Sequence, residues 1–90
     1  MEISPELIKV TSDEDLIDFM LELDSRSDQE YQNDKSAYEQ TRELVKEIGR
    51  ELDRRGGEKL MRNILMIAGA EGLNEEFFDR EWSGIGSWLG

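Results

Sequence analysis

Apolar residues recur along this chain at intervals of three and four rather than alternating, and a single proline, Pro5, interrupts them. That pattern predicts helices throughout and requires no strand. Ser4 and Pro5 carry N-cap and first-position chemistry for a short helical turn over residues 6–10. Thr11 with Glu14, and Ser12 with Asp15, form overlapping capping arrangements ahead of the apolar run Leu16, Ile17, Phe19, Met20, Leu21 and Leu23. A helix is expected over residues 13–24, with acids at 13, 14 and 15 where the helix dipole favours negative charge.

Residues 24–36 are nearly all polar, and composition alone would make them a linker. Two features argue for helix instead. Ser27 and Glu30 have capping-box spacing, and Tyr31, Tyr38, Val45 and Leu52 fall seven apart, near one side of a continuous helix. Ala37, Thr41, Leu44 and Ile48 fill in beside them. A helix over residues 28–55 would be about 42 Å long at 1.5 Å per residue, long for a domain of this size, and any break in it is expected near Asp34. Glu43 with Lys46, Glu47 with Arg50, and Glu51 with Arg54 and Arg55 supply opposite charges at helical spacing. Arg54 and Arg55 also suit the negative end of the dipole, and Gly56-Gly57 ends the helix in a tight turn. Gly49 inside it costs about 1 kcal/mol relative to alanine, which is tolerable where another helix crosses closely.

A third helix, residues 57–71, places Leu60, Met61, Ile64, Leu65, Ile67 and Ala68 over a broad arc and reads as the central one, with Gly69 and Gly72 marking its end. Leu73, Asn74 and Phe78 reproduce a hydrophobic staple around an asparagine N-cap. Phe78, Trp82, Ile85 and Leu89 then line one stripe of a fourth helix over residues 74–89, loosened at Gly84 and Gly86. The expected architecture is all-α. It is a small bundle of three main helices (28–55, 57–71, 74–89) in a single domain over residues 1–90. Residues 1–36 form an acidic N-terminal segment and residues 37–90 the helical core. The amphipathic helix at 13–24 packs on that core or exchanges with a second copy.

Charge narrows the partners. The chain has 22 acidic and 11 basic side chains, a formal net charge of −11, and neither histidine nor cysteine. The imbalance is concentrated in residues 1–40, with 12 acids and 3 bases, against 10 and 8 in residues 41–90. Such a chain is repelled by nucleic-acid phosphates and anionic lipid, so neither direct nucleic-acid binding nor membrane association is expected. No stretch has the basic and apolar character of a signal peptide or the length of a membrane span, which suggests a cytoplasmic protein. With no thiol or imidazole, disulfides and cysteine or histidine metal sites are out, as is the commonest general base.

The remaining motifs have plainer readings. Residues 24–35 match a calcium loop in length and carboxylate content but place Arg26, Gln29 and Lys35 where the loop needs a carboxylate, a glycine and a bidentate glutamate. A solvated acidic face with at most weak divalent-cation binding fits better. Gly84-Ile85-Gly86-Ser87-Trp88-Leu89 lacks the preceding strand, following helix and third glycine of a dinucleotide loop. Glu75, Glu76 and Asp79 are explained by helix-start electrostatics. No catalytic residue, cofactor or metal is expected.

The apolar arcs are more informative. Leu16 to Leu23 spread over roughly 200° of the first helix, and Phe77 and Trp88 lie on a second flank of the last one, about 80 to 100° from its main stripe. Either intramolecular packing absorbs both or they form a surface for self-association or a partner protein. The second alternative nominates Phe19, Leu21, Phe77, Trp82 and Trp88 as interaction residues. Arg54-Arg55-Gly56-Gly57, Leu60-Met61 and Trp82-x-Gly84-Ile85-Gly86-x-Trp88, within residues 37–90, resemble small uncharacterised bacterial all-helical proteins. The resemblance implies an all-helical domain and carries no assigned activity. The leading expectation is a non-enzymatic interaction or regulatory module that forms a homodimer or binds another protein. The alternative is an acidic mimic of nucleic acid that occupies a basic protein surface.

Overall fold

A computed structural model of the chain describes residues 2–89. These residues form four α-helices, α1 (Pro5–Val10), α2 (Asp13–Asn33), α3 (Lys35–Ala70) and α4 (Glu75–Trp82), with no strand among them. The all-α class expected from the pattern is what is seen. Helix α3 touches each of the other three and organises the packing.

Local capping chemistry accounts for most of the helix starts. Ser4 Oγ accepts the Leu7 N–H and Pro5 occupies the first turn of α1. Ser12, rather than Thr11, caps α2 by accepting the Asp15 N–H, while the Thr11 hydroxyl donates back to the Leu7 carbonyl and closes α1. Asn74 Oδ1 accepts the Phe77 N–H to start α4, with Leu73 and Phe78 buried on either side as the staple requires.

Three boundaries differ from expectation. Helix α2 runs past Asp24 to Asn33, because Ser27 does not cap anything. Its hydroxyl donates to the Asp24 carbonyl from a buried position within the helix, and Glu30 reaches across to accept from the Thr41 hydroxyl at 2.6 Å. The break falls at Asp34, whose extended backbone ends α2 through its N–H on the Glu30 carbonyl and starts α3 by accepting the Ala37 N–H. The expected helix 28–55 is therefore divided, residues 28–33 closing α2 and the remainder from Lys35 forming the first arm of α3. The expected helix 57–71 is the second arm, joined to the first at Gly57 with a positive φ of 71°. The last helix stops at Trp82 instead of reaching residue 89. Gly84 and Gly86 take positive φ, and the chain reverses so that the Gly84 N–H meets the Trp88 carbonyl.

Six of the seven aromatic rings form one continuous line through the molecule, Tyr31–Tyr38–Phe77–Phe78–Trp82–Trp88, with successive centroids 5.2 to 6.3 Å apart. The fifth ring, that of the fully buried Trp82, lies against Gly49 and donates from Nε1 to the Val45 carbonyl at 2.9 Å. A Cβ on residue 49 would stand 2.7 Å from the indole, so glycine is what permits the α3–α4 approach. Alanine is the better helix former by about 1 kcal/mol, but a rigid, enclosed ring has nowhere to go. Gly49→Ala is therefore expected to lower stability by about 1 to 3 kcal/mol, as overpacking does, measured by urea denaturation.

Candidate interaction surface

The five residues nominated from the sequence do not form one exposed surface. Phe77, Trp82 and Trp88 are buried within the chain, Leu21 is half-buried against the core, and Phe19 is 7% exposed. The second flank of α4 is covered because the reversal after Trp82 carries Trp88 back under the molecule. There its indole donates to the Asp79 backbone carbonyl and carboxylate, and the Arg62 guanidinium lies 4.4 Å above its ring. The wide arc of α2 is met from two directions. The first arm of α3 pairs with it through Arg55–Asp13 and Thr41–Glu30, and the Asn74 N–H following the second arm donates to Asp24. Self-association through the aromatic flank thus loses its surface. Among the described residues, the large apolar side chains that are exposed are Val10, Tyr31, Met66, Ile67 and Leu89.

Two clefts flank α1. One, of about 640 Å³, is lined by Leu7, Val10, Thr11 and Ser12 on one side and Asp15, Asp18 and Phe19 on the other. Phe19 closes its floor, and Val10, 79% exposed, forms an apolar edge. Asp15 and Asp18 are exposed, make no ion pair among the described residues, and share the cleft with no cationic side chain. The other cleft, of about 500 Å³, lies between the N-terminal segment, α2 and α3 and contains Ile3, Ala37 and Leu44 with Glu2, Glu30, Glu43, Glu47 and Arg26. Its carboxylates are largely engaged: Glu30 by Thr41, Glu47 by Arg50 and Glu43 by Lys46.

Two glutamates are buried, and the sequence pattern marks neither as such. Glu81, beside Trp82, is 4% exposed, with Arg42 at 3.0 Å, Lys46 at 3.7 Å and Arg80 at 3.9 Å. Glu51, 5% exposed, accepts from Arg54 and from Arg55 Nε. Arg55 reaches further, to Asp13 Oδ1 at 2.7 Å and to the carbonyls of Ile8, Lys9 and Thr11. Charge pairs at three- and four-residue spacing announce Glu51 with both arginines, but nothing local announces the grip of Arg55 on α1.

The segment compared with a calcium loop is helical through Asn33, and no group of three or more potential metal ligands occurs among the described residues. Asp79 is occupied by the Trp88 indole, and the Glu75 carboxylate lies against Gly69. Among the described residues, no helix is long and apolar enough to cross a membrane. No family model, curated protein or solved structure matches the chain.

Hydrogen bonds from Arg54 and Arg55 outweigh desolvation and hold the Glu51 carboxyl at about 2, below its ordinary 4.5. A depressed carboxylate contributes stability that is complete above pH 4.5 and is lost as pH falls toward 2. Asp24, pushed up by burial, acts in the opposite sense. Glu51→Gln is expected to cost about 3 kcal/mol at neutral pH, because it leaves Arg55 without its buried partner. Urea titrations between pH 4.5 and 2 should show a shallower decline for this variant than for the native chain.

Proposed function

We propose that the protein is a small non-enzymatic interaction or regulatory module whose partner is a protein presenting a basic surface. The observation that carries this reading is the direction in which its basic residues are spent. Arg42, Lys46, Arg54, Arg55 and Arg80, five of the 11 in the chain, lie against the two buried carboxylates of Glu51 and Glu81, and three of them also pair with acids outside, Arg42 with Glu39, Lys46 with Glu43 and Arg55 with Asp13. The 20 other acids still outnumber all 11 basic residues of the chain. The α1/α2 cleft concentrates that excess beside apolar surface. Two copies of a chain with this charge repel each other, which favours a partner of opposite sign over self-association.

A second reading is favoured by one detail of α2. Glu14, Asp18 and Glu22 are all exposed at four-residue intervals, a line of carboxylates with about 6 Å of rise between members that ends at the Glu22–Arg26 pair. In this reading the basic partner is a nucleic-acid-binding protein, and the line stands in for a strand of phosphates.

Both readings are tested with one cationic DNA-binding protein as probe. Association is expected at about 20 mM salt and should weaken by more than tenfold at about 300 mM, as charge-driven binding does. Competition by duplex DNA for the same probe separates the decoy from the general module. Sedimentation equilibrium at micromolar concentration should give a monomer; a dimer indifferent to salt would contradict the proposal.

A further inference from the structure

We propose that the α1/α2 cleft is the docking site for a cationic amphipathic helix of the partner protein. This rests on the basic-partner reading and gives it a location and a recognition chemistry. An apolar side chain of the incoming helix sits between Val10 and Phe19, and its lysines or arginines, three or four residues away, meet Asp15 and Asp18.

Complementarity selects this occupant. The cleft has an apolar edge and floor, two exposed carboxylates without ion-pair partners among the described residues, and no cation in its lining. The neighbouring cleft includes Arg26, and three of its four glutamates, Glu30, Glu43 and Glu47, already have partners, so it holds less unanswered charge. Asp15 and Asp18 are one helical turn apart on α2, a spacing that lysine or arginine at three- or four-residue intervals on a second helix can match. A helix is also the form that enters an apolar cleft without leaving its own backbone unpaired, because no sheet edge exists among the described residues to pair with an extended segment. A second copy of this chain would bring like charge to the same carboxylates. Both walls are fixed in advance: Arg55 holds the end of α1 and Asp13 together, and Ser12 caps α2 between them, so little ordering remains for binding to impose.

The test uses the full chain and a fluorescein-labelled designed peptide of about 14 residues, leucines on one face and lysines on the other. Binding is read by fluorescence anisotropy at low salt. Val10→Ser, at a side chain too exposed to support the fold, and the double variant Asp15→Asn/Asp18→Asn should each weaken binding about tenfold. Glu71→Gln/Glu76→Gln, which removes the same charge from exposed positions elsewhere, should change it less than about twofold. A peptide of the same composition with scrambled order should bind at least about tenfold more weakly. If Val10→Ser has no effect, or the scrambled peptide binds equally well, the cleft is not the site, although the basic-partner reading survives. If no cationic peptide binds at low salt, both fall. A dimer in sedimentation that Val10→Ser abolishes would make the occupant a second copy and overturn the proposal.

Discussion

The guanidinium of Arg55 ties three helices together at one point. Arg55 donates to Glu51 on its own helix, to Asp13 at the start of α2, and to three backbone carbonyls at the end of α1. Helix α1 has six residues, far too few to persist alone in water, and the carbonyls at its end would otherwise lack helical partners. The planar fork of arginine serves several acceptors at once in a way a lysine ammonium cannot. Arg55 also stands two residues before Gly57, where α3 bends, so the anchoring of α1 and the change of direction in α3 occur at one place.

That anchoring depends on buried charge, and buried charge shapes the exterior. Glu51 and Glu81 are tolerable inside only because each is surrounded by basic side chains and hydrogen-bonded. Five of the cations stand on α3 and α4 beside them, while Glu14, Asp15, Asp18, Glu22 and Asp28 of α2 face water. The same arrangement that completes the interior therefore polarises the surface, and an excess of one sign beside exposed Val10 is the physical basis for expecting a basic partner.

Features set by near neighbours in sequence were legible. Ser4, Ser12 and Asn74 cap the helices they precede, the Leu73–Phe78 staple is present, and Gly49 marks a close crossing. What escaped depends on distant partners. Ser27 and Glu30 have capping-box spacing, yet one bonds backward within α2 and the other meets Thr41 eleven residues on. The stripe through Phe78, Trp82, Ile85 and Leu89 continues the helical period past the point where the glycines reverse the chain, so periodicity overran the end of α4. That reversal also turned the apparent aromatic flank inward. At the cleft, Phe19 was recognisable as a residue of interest. The pairing of Val10 with Asp15 and Asp18 arises only when α1 folds beside α2, through an arginine more than forty residues away.

Asp34 joins two long helices with no loop between them, closing one with its amide and opening the next with its carboxylate. Connections are ordinarily where a chain absorbs changes in length, but this corner has no slack. One inserted residue would turn the following helix by about 100° and swing Val45, Ile48 and Leu52 away from the interior they fill. The hairpin corner is thus the part of the surface least free to drift in length, and variation in chain length has to be accommodated elsewhere.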